Sequence, residues 1–333
     1  MSARPTLLVA PNWVGDVVMA LPTLEALAGA GHRLHVLARP HLLPLLGLSP
    51  AVDQVVARTG DAETIAAIRA RDPADAVILP NSFRSAWLPF RAGVARRWGY
   101  RGQLRGALLS RPVRRRRGRR PQVEEYRELV AALGADLPES PVPRLALDSG
   151  RERRGAELLV RAGLPAEGGP RVGLFPGAAF GPSKRWPEGR FGELARTLRR
   201  RIDGARLVIV AGPGEVWLAV KVHEAVARAT PVVGPDLDLA DLAAVLGRLD
   251  LLITNDSGPM HLAAALGVPC LALFGPTDPR RTAPSGEGHT VLWSHRWCSP
   301  CFRRRCPLVH HGCMKDHEVE SVAESALRGL GRS

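Results

Sequence analysis

Leu251–Pro279 reads LLITNDSGPMHLAAALGVPCLALFGPTDP, and its punctuation decides the fold. The apolar run Leu251-Leu252-Ile253 stops at Thr254-Asn255-Asp256-Ser257-Gly258. Small and apolar residues then recur at helical spacing from Met260 to Leu266, until Gly267-Val268-Pro269 ends them. A second apolar run, Cys270 to Phe274, follows at once and breaks at Gly275-Pro276. Strand, tight turn, helix and strand make a unit whose two strands lie parallel, with both sheet faces covered. Ligands of such sheets sit at the carboxyl ends of strands. There Asp256 and Ser257 are placed to cap the helix, while the amides of Ser257, Gly258 and Met260 point outward and suit a phosphate. Pro259, which lacks an amide, fits the first helical turn.

The same alternation extends upstream. Arg171 to Phe175 is a strand, followed by the loop Pro176–Pro187 carrying Gly177, Gly181, Lys184 and Arg185, and then by a helix to Arg200. No G-K-[ST] occurs, which argues against nucleoside triphosphate hydrolysis. Leu207 to Val210 is the next strand and ends in Gly212-Pro213-Gly214-Glu215. Glu215 fits either an acceptor of ribose hydroxyls or an ordinary first-turn acid. Val232-Val233 and the helix Leu239 to Leu246 lead back to the opening unit.

The first half repeats the plan. Strands are predicted at Thr6–Ala10, Leu34–Leu37, Asp53–Val56 and Asp75–Leu79, with helices at Val17–Ala28 and Asp61–Ala70. Polar loops follow two of these strands. Pro11-Asn12-Trp13-Val14-Gly15-Asp16 puts a carboxylate at a helix start, readable as a simple cap or as something more. Leu79-Pro80-Asn81-Ser82-Phe83-Arg84-Ser85 offers Ser82, Arg84 and Ser85 either to an anion or to a turn and cap. The class is α/β, with two doubly wound Rossmann-like halves facing across a cleft. A first domain over 1–150 and a second over 170–317 are expected, separated by a Pro- and Gly-rich stretch holding a helix from Glu152 to Ala162. A terminal helix in 318–333 is expected to pack back on the first domain.

Length and charge are consistent with this plan. A chain of 333 residues exceeds what one core usually organises. No apolar run reaches 18 residues and Met1–Pro5 is too short for a signal peptide, so a cytoplasmic chain is expected. The 46 basic and 32 acidic residues leave a formal charge of +14 and imply an anionic partner. Seven arginines fall in Ser110–Arg120, SRPVRRRRGRR, which is expected to be a mobile loop suited to an anionic membrane surface. Nucleic acid would be drawn to the same charge, but no interleaved aromatics or recognisable module accompany it, and none is expected as a partner. Cys298-x2-Cys301-x4-Cys306-x6-Cys313, with His310 and His311 nearby, fits either a structural zinc or iron–sulfur site or a reduced packed loop.

The motifs as a set carry a resemblance. The Pro11–Asp16 and Leu79–Ser85 stretches, Gly99-Tyr100-Arg101-Gly102, Phe175-Pro176-Gly177-Ala178 with Gly181–Pro187, and Thr254–Gly258 with His261 resemble the ADP-heptose:lipopolysaccharide heptosyltransferases of glycosyltransferase family 9. The Trp-Val-Gly-Asp and Leu-Pro-Asn-Ser-Phe stretches are more similar to the heptosyltransferase II branch than to heptosyltransferase I. The resemblance implies a GT-B fold and an inverting, metal-independent transfer of heptose from ADP-L-glycero-D-manno-heptose to the first heptose of the lipopolysaccharide inner core. The enzyme would work peripherally on the inner leaflet of the cytoplasmic membrane, with no cofactor required for catalysis. It further implies that Asp16 is the general base and that Lys184, with Arg185 in a lesser part, neutralises the departing ADP. Asp256, Ser257, Gly258 and His261 would line the donor, Glu215 would hold the ribose and Leu237 would lie near the adenine. Asn12, Trp13, Ser82, Arg84 and Arg101 would meet the acceptor. Heptosyltransferase I, another GT-B sugar-nucleotide enzyme such as an epimerase, and a nucleic-acid-binding protein stand as the competing readings.

Overall fold

The computed structural model describes residues 5–115, 121–137, 141–226 and 230–332. The chain divides into two compact units, Met1–Pro143 and Arg144–Ser333. In unit 1 the strands are β1 (Thr6–Val9), β2 (Leu34–Ala38), β3 (Gln54–Ala57), β4 (Asp75–Ile78), β5 (Arg96–Tyr100) and β6 (Arg111–Val113). Its helices are α1 (Val14–Gly29), α2 (Leu43–Leu46), α3 (Asp61–Arg69), α4 (Phe83–Arg91) and α5 (Gln122–Ala131). The strands pair in parallel in the order β3-β2-β1-β4-β5-β6. The central strands TLLV and DAVI are buried along their whole length, because helices cover both faces of a parallel sheet.

Unit 2 repeats the topology. Its strands are β7 (Arg171–Phe175), β8 (Arg206–Val210), β9 (Val232–Val233), β10 (Leu251–Asn255), β11 (Cys270–Phe274) and β12 (Thr290–Trp293), all parallel in the order β12-β11-β10-β7-β8-β9. The helices are α6 (Ser149–Arg161), α7 (Glu188–Arg201), α8 (Val216–Val226), α9 (Leu239–Leu246), α10 (Gly258–Ala265), α11 (Pro279–Thr282), α12 (Gly312–Lys315) and α13 (Val319–Gly329). In each sheet the order reverses beside the first strand, between β1 and β4 and again between β7 and β10. Loops leaving those strands diverge to opposite faces and open a crevice, the usual ligand position in such sheets. Four loops are singled out in this way: those after β1, β4, β7 and β10.

Several expectations change. The terminal helix is part of unit 2. α13 lies against α7 and the strands of unit 2, and Val322, Ala323 and Ala326 join that unit's core because its apolar face matches the gap there. The helix expected in the linker belongs to unit 2 as α6, seated on α9 and tied to Asp241 by Arg154 at 2.9 Å. Within the arginine-rich stretch, Arg111–Val113 forms edge strand β6 against β5 and is not a loop. Residues 116–120 of that stretch lie outside the described residues. Strands β5, β6 and β12 escaped the sequence reading: β5 and β6 are broken by Arg, Gly and Pro, and β12 has only the three-residue run Val291-Leu292-Trp293.

The α6–α9 contact depends on Gly155, where an added Cβ would stand 2.1 Å from the Ala244 carbonyl oxygen. Alanine would gain up to about 1 kcal/mol of helix propensity but overpack by about 1–3 kcal/mol against a backbone that cannot swing away. Gly155→Ala is therefore expected to lower unfolding free energy by about 1–2 kcal/mol in chemical denaturation. Unchanged or raised stability would mean that α6 is not seated on α9.

Candidate active site

At the switch point of unit 1, the loops after β1 and β4 enclose a cavity of about 260 Å³. Asn12, Trp13, Asp16, Asn81, Ser82, Tyr100, Gln103, Gln122, Glu125 and Tyr126 supply its wall. α1 begins at Val14, three residues before the expected start, so Asp16 lies in the first helical turn, where the helix dipole favours a carboxylate. Tyr126, on α5 behind it, accepts a 2.6 Å hydrogen bond from the Gln122 amide. Burial first, and the Asp16 carboxylate second, push the Tyr126 phenol up, so it stays protonated. Amides, hydroxyls and aromatic faces around two carboxylates, Asp16 and Glu125, suit a polyhydroxylated ligand such as a sugar.

The expected acceptor residues fare differently. Asn12, Trp13 and Ser82 line the cavity, and Ser82 also caps α4 by accepting from the Ser85 amide. Trp13 is half exposed. Arg84 turns to Asp61, with an Nη2–Oδ1 distance of 2.5 Å, and neither it nor the exposed Arg101 is part of the cavity wall. Asn81, Tyr100, Gln103, Gln122, Glu125 and Tyr126 were not assigned from sequence. The α5 members lie in an ordinary amphipathic helix, which carries no motif.

At the switch point of unit 2, the loops after β7 and β10 are stitched together by Asn255. Its amide oxygen accepts from the Trp186 N–H at 3.0 Å, and its NH2 donates to the carbonyls of Pro176 at 2.9 Å and Gly177 at 3.3 Å. The glycine loop is braced from its other side by Arg303 and Arg304, whose carbonyls accept from the Ser183 hydroxyl and amide. An added Cβ at Gly181 would meet the Arg304 carbonyl oxygen at 2.5 Å, and φ there is +152°, so only glycine fits. This bracing brings the Lys184 ammonium to Asp256, 2.5 Å from Oδ2, which also accepts from the Thr277 hydroxyl at 2.6 Å. Asp256 thus does not cap α10. Ser257 is the N-cap, with Pro259 in the first turn, and the pair, Asp256 buried and Lys184 partly so, stands beside the helix's positive end.

The remaining donor residues surround this pair. Glu215 turns inward: its Oε1 accepts from the Ala178 N–H at 2.9 Å and lies 3.7 Å from Arg185 Nη2, so its first task is to hold the glycine loop. Burial raises its pKa, while the Ala178 amide, Arg185 and the Gly212 backbone oppose that rise. Arg185 stacks on the half-exposed Trp217, 5.3 Å from the ring centroid. Leu237 is half-buried beside the start of α9. His261, inside α10, is buried; desolvation chiefly pulls its pKa down to about 4, against the nearby Asp256 and with Lys184 adding to the fall, so the ring is neutral at pH 7.

The metal expectation at the cysteines does not survive. Cys298, Cys301, Cys306 and Cys313 are free thiols that, with His310 and His311, line a small void. Among the described residues no group of three or more His, Cys, Asp or Glu side chains is placed to hold a metal ion. Cys313 belongs to the core of unit 2, and burial, followed by the neighbouring cysteines, pushes its thiol up to about 11. The segment is a packed loop of free thiols. Among the described residues, no helix is long and apolar enough to cross a membrane.

His261 makes a pH signature. An unfolded chain takes up its proton near pH 6.5 whereas the folded one resists until about 4, so the folded state loses stability as pH falls through that window. Relative to His261→Gln, the native protein is expected to lose roughly 3 kcal/mol at most between pH 7 and 4. Denaturant titrations of both proteins at several pH values check this; parallel curves would show that His261 titrates normally.

Residues 65–311 match glycosyltransferase family 9 (heptosyltransferase). The chain is 32% identical over 310 residues to lipopolysaccharide heptosyltransferase 2 of Escherichia coli (strain K12), covering 86% of this chain and 87% of that protein. A match to lipopolysaccharide heptosyltransferase 1 of Pseudomonas aeruginosa reaches 34% identity but spans 233 residues, 67% of this chain and 60% of that protein. The solved structure of E. coli ADP-heptose lps heptosyltransferase II aligns with a TM-score of 0.84 at 28% identity, over 98% of each chain. With two Rossmann-like units of the GT-B kind, the chain belongs to glycosyltransferase family 9 and is a glycosyltransferase of the heptosyltransferase II type.

Proposed function

We propose that this enzyme transfers heptose from ADP-L-glycero-D-manno-heptose to the first heptose of the lipopolysaccharide inner core, with inversion at the anomeric carbon. The observation that carries the reading is the Lys184–Asp256 pair at the N-terminus of α10. A helix end and a held ammonium together suit a diphosphate that gains charge as it leaves. Asp256, which would repel a diphosphate by itself, is neutralised by Lys184 and holds that ammonium in place. The nucleoside is assigned to the side of β8 and β9, where Glu215 and Leu237 stand.

The reaction is a single displacement. The acceptor hydroxyl forms a new C–O bond to the anomeric carbon as the bond to ADP breaks. Asp16 takes the hydroxyl proton, which becomes acidic only as the bond forms, so a carboxylate held in place is sufficient base. Lys184 and the amides opening α10 meet the charge on the departing diphosphate. Arg185 supports them through its stack on Trp217. The acceptor is a lipid-borne sugar, and the arginine excess of the chain supports work at an anionic membrane surface.

Two experiments test the assignment, both using ADP-heptose and extracted cores ending at the first heptose. Asp16→Asn keeps the side chain's shape in the first turn of α1 but accepts no proton, and it is expected to fold normally and lose about 10²–10⁴-fold in turnover. An active Asp16→Asn enzyme would remove Asp16 as base.

Lys184→Ala leaves Asp256 buried without its partner, which costs about 3–5 kcal/mol of stability as well as turnover. Adding Asp256→Asn is expected to recover much of the stability while turnover stays at least about 10²-fold down. Full recovery of turnover in the double variant would mean that Lys184 serves only to satisfy Asp256.

A further inference from the structure

Two asparagines stand at the unit 1 switch point, Asn12 after β1 and Asn81 after β4, and both line the Asp16 cavity. Each has its amide oxygen taken by an arginine. Arg58 Nη2 donates to Asn12 Oδ1 at 2.6 Å, and Arg105 Nη2 donates to Asn81 Oδ1 at 3.1 Å. A guanidinium has donors only, so it fixes which end of an amide faces it. The oxygen must turn to the arginine, and the NH2 is left on the other side. Among the described residues neither NH2 has a protein acceptor.

Arg105 shows how much is committed to this arrangement. It is 0% exposed and has no carboxylate partner among the described residues. Its other donors go to the carbonyls of Tyr100, at 2.8 Å, and Pro80, and to the Ser85 hydroxyl at 3.3 Å. Burial pushes its pKa down to about 10, which still leaves it charged at neutral pH. A buried cation satisfied only by neutral groups is a poor source of stability. What it does is fix the ends of β4 and β5, and the Asn81 amide, in one orientation.

We propose that Arg58 and Arg105 are positioning residues that lock Asn12 and Asn81 with their NH2 groups aimed into the Asp16 cavity, where the two amides donate to oxygens of the acceptor sugar. The pair makes the cavity specific for a ligand with hydrogen-bond-accepting oxygens near the hydroxyl that Asp16 deprotonates. This rests on the cavity being the acceptor site.

The test is isosteric. Asn81→Asp and Asn12→Asp each keep an oxygen for the arginine but replace the cavity-facing donor with a second oxygen. With ADP-heptose and cores ending at the first heptose, each is expected to raise the acceptor KM at least about ten-fold. The donor KM should stay within about two-fold, and Tm should not fall, since each arginine gains a counter-charge. Asn81→Ala, which adds no charge, should move the acceptor KM in the same direction. Arg105→Lys, whose point charge cannot fork to four acceptors, should also raise the acceptor KM and leave the donor KM alone. An acceptor KM within two-fold of native in folded Asn81→Asp and Asn12→Asp would overturn the proposal. If Asp16→Asn is then still inactive, the acceptor site stands and only the oriented amides fall. If Asp16→Asn is active as well, the acceptor-site reading falls with them.

Discussion

Everything chemical in this chain depends on parallel strand pairing. Parallel neighbours cannot be joined by tight turns, so the chain must cross back between strands, in most cases through a helix, and the carboxyl ends of all strands come to one edge. Where the crossover changes sides, between β1 and β4 and between β7 and β10, adjacent loops part. A polar loop after one of these four strands therefore faces open space, while its strand is buried. Asp16, Ser82, Lys184 and Asp256 all lie on loops or first turns of this kind.

Buried polar groups then hold these loops to a single geometry. Asn255, fully buried, uses both ends of its amide to tie the β7 loop to β10. Arg105 does the corresponding work between β4 and β5 in unit 1. Neither is a source of much net stability, because each exchanges water for protein hydrogen bonds at a gain of only about 1 kcal/mol apiece. Their value lies in what misplacement would cost: an unpaired buried amide or guanidinium is penalised far more than a correct one is rewarded. Polar satisfaction thus holds the site loops in place beside the apolar anchor of Trp186, which is buried in the core of unit 2.

The cysteines show the limit of spacing as a guide. Four thiols and two histidines within sixteen residues satisfy a pattern in one dimension. Ligation needs three or more such side chains placed around one point, which the described residues do not provide, and Cys313 is drawn into the core of unit 2 beside Met314 and Gly275. The terminal helix teaches the same lesson, since its apolar stripe predicts that it packs but not on what.

Sequence by itself determined the class, the repeated strand-loop-helix plan, most central strands, and the glycine and polar loops that mark the two crevices. It could do so because continuous apolar runs, Gly and Pro breaks and helix-start residues are local consequences of backbone sterics and burial. Family motifs added Asp16 and Lys184. Tertiary structure alone decided that Asp256 pairs with Lys184 and leaves the cap to Ser257, that Glu215 turns inward to Ala178, and that Arg84 is spent on Asp61. It also brought Arg105 to Asn81, 24 residues away in sequence, and Arg58 to Asn12, 46 residues away. Such pairings are set by where folding carries each side chain, and a donor cannot be matched to its acceptor until the sheet has put them within 3 Å or so of each other.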